Sequence, residues 1–260
     1  MKIKKIMAAA LATLALSSGG AASAAAVNGY IGSPAPSMVL YTGTPKWVQI
    51  HSTGSAPHFS NLSTKQISIL RIHNAKVLKT TYSEHTQTQR MNKVQAAYPG
   101  AALMNASAFN GPIAALGLQI NNGMLFNDWN GAVGSTYVIN KNGSFASYTS
   151  ATPISTILKN GAAMSFSYGT LLISNGKTTP NRAIGSGWQS FAGNDAQKNL
   201  YQIVIHPGTS YGTLMATLAK YHLQNLITLD AAGSSQLALG KSVLVKSSDS
   251  RPVADWIVAK

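Results

Sequence analysis

The sequence predicts an α+β fold: one strand-rich domain built on a mixed sheet, with a few short helices. Three observations carry this. Apolar runs are short and broken by turns along most of the chain. Asn-Gly pairs recur at Asn122-Gly123, Asn142-Gly143 and Asn175-Gly176; Asn-Gly tolerates the positive φ that tight hairpin turns demand. Only residues 86–98, 154–160 and 211–222 carry a helical pattern.

Taken in order, the chain opens with Lys2, Lys4 and Lys5, an apolar run over 6–16, and the A-x-A sequence Ala22-Ser23-Ala24, with Ala24-Ala25-Ala26 as a second cleavage option. This is the pattern of a signal peptide over 1–26, because the run is too short to span a bilayer. Residues 27–62, rich in Gly, Pro, Ser and Thr, read as an approach segment with one strand-like run at 47–50, leading into the main domain at 63–260. Residues 66–78 alternate around His73-Asn74-Ala75 and predict a hairpin. Over 86–98, Met91, Val94, Ala97 and Tyr98 share one side of a helix that Pro99-Gly100 ends. Further strands are expected at 163–166, 170–174 and 183–188, with a short helix at 154–160. An apolar strand over 200–205 runs into His206-Pro207-Gly208, and Ser210 is placed to cap a helix over 211–222, whose Leu214, Leu218 and Tyr221 share a face. The next strand, 226–229, ends at Asp230; the unit predicts parallel strands, with Asp230 at a carboxyl end, where α/β sites form. Strands at 243–245 and 253–258 close the chain.

Composition narrows the function classes. The absence of cysteine excludes a thiol nucleophile, a thiolate metal site and a disulfide framework. Twenty Lys and Arg face six acids, for a net charge of +14; without the three leader lysines, 17 bases remain and the charge is about +11. That excess fits plain solubility, or attraction to a phosphate-rich polymer outside the cell. The leader and the scattered lysines point away from nucleic acid, and no second segment is long enough to cross a membrane as an apolar helix. Gly185-Ser186-Gly187 lacks the spacing of a nucleophile elbow, and no H-E-x-x-H, phosphate-cradling loop or dinucleotide fingerprint occurs. No cofactor is expected; calcium stays open, since Asp128 and Asp230 could meet a hard cation after folding.

Four segments stand in an order that carries more than any one of them. They are Asn105-Ala106-Ser107-Ala108-Phe109, then Asn181-Arg182-Ala183-Ile184-Gly185, then Leu229-Asp230-Ala231-Ala232-Gly233-Ser234-Ser235, and finally Arg251-Pro252-Val253. Together they resemble the phosphodiester glycosidase family, related to the enzyme that uncovers mannose-6-phosphate on lysosomal proteins, over roughly residues 67–260. Members show an N-G-x-F-F-like segment, R-x-A-I-G, L-D-G-G-G-S and a closing R-P-V. Here Ala231 and Ala232 replace two glycines, and bulkier residues follow Asn105. A position there that needs positive φ would make alanine unfavourable by about 1 kcal/mol or more.

The resemblance implies hydrolysis of a sugar-1-phosphodiester in an envelope or extracellular glycan. Asp230 is the candidate catalytic carboxylate, able to stabilise or attack an oxocarbenium-like centre. Arg182 and Arg251 offer guanidinium forks to the phosphate. Asn105, Phe109, Gly233, Ser234 and Ser235 are candidates for lining the substrate, and His206 and Glu84 are minor candidates for proton transfer. Structural duties fit the same residues. Asp230 could cap its own turn, the arginines could serve the surface or packing, Asn105 could satisfy a strand end, and Ser234 and Ser235 could be turn residues. His206 suits a loop, Glu84 suits a helix dipole, and Trp129 and Trp188 suit either a sugar ring or the core. Two other classes stay open: a binding protein for anionic glycan on the same fold, and a structural or adhesive surface domain.

Overall fold

The computed structural model describes residues 44–53, 58–81, 88–110, 114–127, 134–167, 169–179, 184–247, 249 and 251–260. The expected leader, Glu84, Asp128, Trp129 and Arg182 lie outside the described residues.

Two large sheets dominate. The first has seven strands in the spatial order Lys177–Thr178, Leu171–Ser174, Leu223–Thr228, Gln189–Asp195, Leu200–Ile205, Ile67–His73, His58–Asn61. The second has six, in the order Val48–Gln49, Lys76–Lys79, Trp256–Ala259, Ala102–Asn105, Gln236–Leu239, Ser242–Lys246. The run at 47–50 thus supplies the edge strand of the second sheet. A three-stranded sheet, Phe145–Thr149, Ser135–Asn140 and Ala162–Ser167, completes the main framework.

The two-residue period of the strands explains the layering. In Ile67–His73, Leu70 and Ile72 face a core shared with the second sheet through Met104, Leu237 and Ile257, while Ile67 and Ile69 face the opposite side. Leu200–Ile205 divides likewise, with Leu200 and Val204 inward and Tyr201, Ile203 and Ile205 outward. That outer face is covered by the helix Tyr211–Leu218 through Leu214 and Leu218. The helix Met91–Ala97 covers the outer face of the second sheet, packing Met91 and Val94 with Leu103 and Trp256. Strands sandwiched in this way are buried on both faces, which is why Leu-Tyr-Gln-Ile-Val-Ile reads as one apolar run.

The α+β, strand-rich expectation holds, and several local readings are corrected. Asn74 takes the expected positive φ, +50°. It does not close a hairpin, however: Ile67–His73 belongs to the first sheet and Lys76–Lys79 to the second, so the turn carries the chain between sheets. The first helix begins at Met91 rather than 86, because Gln89 exchanges both backbone hydrogen bonds with Val253 at 2.8 and 3.0 Å. Val253 itself lies in that bridge, so the last strand starts at Trp256. The strand expected at 183–188 lies at Gln189–Asp195 instead. The third helix stops at Leu218, continues as a 3₁₀ turn over Ala219–Tyr221, and ends where His222 turns left-handed at φ +50°. Its Ser210 cap is present: the Ser210 hydroxyl accepts from the Thr213 N–H at 3.0 Å.

Leu200–Ile205 and Leu223–Thr228 run in the same direction, as the strand–helix–strand reading requires. They do not bond to each other, because both pair antiparallel with Gln189–Asp195 between them. The consequence drawn for Asp230 survives: it emerges at the carboxyl end of Leu223–Thr228.

Candidate active site

Asp230 sits where the two large sheets meet. The Leu229 N–H donates to the Ser190 carbonyl at 2.7 Å within the first sheet; one residue on, the Asp230 N–H donates to the Ala106 carbonyl at 2.9 Å, just past the Ala102–Asn105 strand of the second. Asn105 completes the junction. Its Nδ2 donates to the Asp230 carbonyl at 2.8 Å, and its Oδ1 accepts from the Ser190 hydroxyl at 2.8 Å and the Gln236 N–H at 3.0 Å. With no exposed surface, Asn105 holds the site's frame and does not line it.

The chain then turns through a 3₁₀ segment, Ala232–Ser234. Ala231 is extended at φ −124° and accommodates its side chain freely. Ala232 is left-handed at φ +54°, the conformation that glycine adopts without strain. It is held there by its N–H donating to the Trp188 carbonyl at 2.8 Å and by the Ser235 N–H donating to its carbonyl at 3.1 Å.

This geometry sets the electrostatics of Asp230. Burial is the largest influence and lifts its pKa from 3.8 to about 6. The Ser234 hydroxyl, the Ala231 N–H at 2.9 Å and the positive Arg251 pull it back down, while Asp255 pushes it up. The result is a recessed carboxyl that changes charge near neutrality.

Arg251 approaches from the other side of the turn. Its Nε and one terminal nitrogen donate to Asp249 Oδ2 at 2.9 and 2.6 Å, in a pair about half exposed to solvent. The hydrogen bonds from Arg251 hold the Asp249 carboxyl below its usual range. Arg251 and Asp249 lie directly over Gly233, where an added Cβ would collide with both side-chain ends. Gly233 therefore serves close approach rather than backbone conformation. Beneath it, the Ser247 hydroxyl donates to the Gly233 carbonyl at 2.6 Å.

Of the residues singled out in the sequence, the fold brings together Asp230, Gly233, Ser234 and Arg251, with Asn105 beneath them. Ser235 is fully buried, and its hydroxyl has no hydrogen-bond partner among the described residues. Phe109 packs against the apolar cluster of Leu103 and Trp256. His206 packs against Trp188 with the rings tilted by 47° and centroids 4.8 Å apart, and its Nε2 lies 3.2 Å from the Ser68 hydroxyl. It borders the site only through Trp188, whose carbonyl anchors Ala232.

Three charged residues escaped the sequence reading. Asp249 is the partner of Arg251. Lys79 and Asp255 form a wholly buried ion pair, Nζ to Oδ2 2.5 Å, behind the Asn105–Ser107 segment. The signal available was scarcity: Asp249 and Asp255 flank Arg251 in a chain with six acids, and Lys79 interrupts an apolar strand. Among the described residues, no group of three or more His, Asp or Glu side chains is placed to hold a metal ion.

The family model for phosphodiester glycosidases matches residues 92–260, which include Asn105, the Asp230 turn and Arg251. The chain belongs to the phosphodiester glycosidase family. No curated protein sequence matches it. Among solved structures, the chain is similar to the zebrafish N-acetylglucosamine-1-phosphodiester alpha-N-acetylglucosaminidase catalytic domain, auto-inhibited by its pro-peptide. The TM-score is 0.62 at 16% identity, over 83% of this chain and 88% of that one. It is also similar to a hypothetical protein from Synechocystis, with a TM-score of 0.54 at 14% identity, over 83% of this chain and 62% of the other. At these identities the likeness is one of fold.

Proposed function

We propose that this member of the phosphodiester glycosidase family is an exported hydrolase that cleaves the bond between an anomeric carbon and phosphate in a sugar-1-phosphodiester of an envelope or extracellular glycan. The observation that carries this is the pairing of a recessed Asp230 carboxyl with Arg251 across the Gly233–Ser234 turn. An anionic diester fits the Arg251 fork, which it would take over from the exposed Asp249. With the phosphate so placed, the ionised Asp230 faces the positive charge that develops at the anomeric carbon. The C1–O bond breaks with its electrons going to the phosphate, which is acidic enough to leave without a strong general acid. Water then supplies the hydroxyl at C1, and its proton ends on the released phosphomonoester or in solvent. The fold relative's name specifies an N-acetylglucosamine-1-phosphodiester, and that substrate heads the panel to test here. Export rests on the leader pattern of residues 1–26, and retention near an anionic polymer on the net charge of about +11 that remains once the leader's three lysines are gone from 20 bases against six acids.

A second reading, a non-catalytic binder of anionic glycan on the same fold, is favoured by one specific feature: Ala232 at φ +54°, in a segment that otherwise resembles the family's L-D-G-G-G-S pattern with its glycines. The test is hydrolysis of a sugar-1-phosphodiester panel by the leaderless protein, beside Asp230→Asn and Arg251→Ala. Product release by the parent and its loss in both variants is the expected result. No release from any substrate, with all three proteins binding anionic polymer equally and losing it as salt rises, would replace the enzyme with the binder.

A further inference from the structure

The end of the first sheet farthest from Asp230 carries a second constellation. The helix Tyr211–Leu218 is too short to cover the whole outer face, and beyond it a cavity of about 280 Å³ opens among Arg71, Asp195, Tyr201, Lys220, Tyr221 and His222. Arg71 and Tyr201 are directly opposed in the ladder between Ile67–His73 and Leu200–Ile205, so both side chains rise from the same face. Their surroundings fix the roles. The Asp195 carboxylate is engaged by neighbours: it accepts from the Asn199 N–H at 2.9 Å, Asn199 Nδ2 at 2.7 Å and the Tyr201 hydroxyl at 2.9 Å. The Tyr201 oxygen is thereby turned toward Arg71, which also donates to the Ser60 hydroxyl at 3.3 Å. A guanidinium carries five N–H donors, so further donors remain for a ligand among the described residues. Lys220 lies 5.1 Å over the Tyr221 ring, and that ring packs 5.5 Å from Tyr201.

Two cations, Arg71 held in the sheet and Lys220 on the rim, a histidine and a partly exposed aromatic ring around a small cavity match one kind of ligand. We propose that this cavity is an accessory binding site for a single sugar phosphate unit, with Arg71 and Lys220 taking the phosphate and Tyr221 stacking on the sugar. Its volume lies just below the ~300–1,000 Å³ typical of ligand pockets, which suits one unit rather than an oligomer. His222 and Asp230 are separated by the strand Leu223–Thr228, so at ~3.3 Å per residue the two sites stand roughly 25 Å apart. A repeating phosphoglycan would reach both, the distal cavity holding the chain while Asp230 acts elsewhere on it. The ligand class rests on the phosphoglycan reading above; the cavity and its charges do not.

The test begins with the leaderless protein carrying Arg251→Ala, which disables the phosphate grip beside Asp230. Calorimetry with α-glucose-1-phosphate, inorganic phosphate and glucose then reports on the distal cavity. The expected result is one bound equivalent of α-glucose-1-phosphate, weaker inorganic phosphate and no glucose. Adding Lys220→Glu or Arg71→Gln should weaken that binding by at least about tenfold, since each removes a charge-assisted contact. Lys220 is exposed, so its reversal leaves folding intact, and an unchanged thermal midpoint verifies this. Absence of binding in the Arg251→Ala protein, or affinity indifferent to both substitutions, overturns the site. Inorganic phosphate bound as tightly as the sugar phosphate overturns the role of Tyr221. Hydrolysis of a small sugar-1-phosphodiester by the Lys220→Glu protein should match the parent. A parent inactive on every substrate defeats the enzymatic reading alone and leaves calorimetry to decide the cavity.

Discussion

Lys79 and Asp255 pair at the ends of neighbouring strands of the second sheet with neither side chain exposed, and the pair holds the segment of Ala106 and Ser107, to which Asp230 is hydrogen-bonded. Asp255 Oδ2 receives Lys79 Nζ at 2.5 Å, while Oδ1 receives the Ser107 N–H at 2.6 Å. The same residue's carbonyl accepts from the Ala106 N–H at 3.2 Å, and the Ala106 carbonyl accepts from the Asp230 N–H. Lys79 also donates to the Ser165 carbonyl at 2.7 Å and lies 4.7 Å from the Phe166 ring centroid. Burial lowers the Lys79 pKa, and Asp255 opposes that fall. A buried pair is weak evidence of net stabilisation, but removing one partner strands the other charge.

Lys79→Met should therefore destabilise the protein by about 3–5 kcal/mol, because Asp255 is left buried without its counter-ion. Urea unfolding measures this. Lys79→Met combined with Asp255→Asn should recover part of the loss, so the double change falls well short of the sum of the singles. Strict additivity would show that the pair does not act as a unit.

Ala232→Gly should stabilise the folded protein by about 1 kcal/mol, since alanine at φ +54° carries a left-handed penalty that glycine lacks. The entropy of glycine in the unfolded chain offsets part of that gain. Ala231→Gly is the control: Ala231 is extended, so glycine there brings only the entropic loss. Thermal midpoints that move in opposite directions confirm the assignment, and a parallel fall in both removes it.

The sequence made some of this legible and not the rest, for physical reasons. The Asn122-Gly123 and Asn175-Gly176 turns were readable because both φ values are locally determined, +53° and +75° in one, +49° and +74° in the other. Asn74 shares that local signal, yet whether its turn closes a hairpin or passes between sheets depends on which partners the flanking strands find far away. Asp230 and Arg251 stood out because order and residue type were enough. Lys79 did not, since its partner lies 176 residues away and only tertiary packing brings the two together. Asn105 was readable either as a substrate-lining residue or as one that satisfies a strand end; hydrogen bonds to Asp230, Ser190 and Gln236 turn it inward, and those distant partners are what no local pattern reveals.

Asp249→Asn should release Arg251 for substrate. The Arg251–Asp249 pair is open to water and contributes little to folding, so the thermal midpoint should stay where it is. If phosphate binding displaces Asp249, KM for a sugar-1-phosphodiester should fall severalfold with kcat unchanged. A rise in KM would instead mean that Asp249 orients the guanidinium for the ligand, and the displacement idea would be wrong.

Under the proposed function, Asp230 should tie stability and activity to pH in opposite senses. Its carboxyl titrates near 6 in the folded protein and near 3.8 when unfolded, so the folded state binds more protons between those values. Its favourable contribution is complete below about 4 and disappears as pH rises through 6, where ionising a recessed carboxyl opposes folding by up to roughly 3 kcal/mol. Asp230→Asn should consequently raise the thermal midpoint at pH 7.5 and leave it nearly unchanged at pH 4. The amide oxygen can still accept from the Ala231 N–H, so the turn is retained. In the proposed mechanism Asp230 acts in its ionised form, so kcat/KM should climb with pH through about 6 before levelling. If activity instead falls across that interval, Asp230 acts as a proton donor and not as the charge that faces the anomeric centre. A variant equally stable to the parent at both pH values would show that the carboxyl is better solvated than its surroundings suggest.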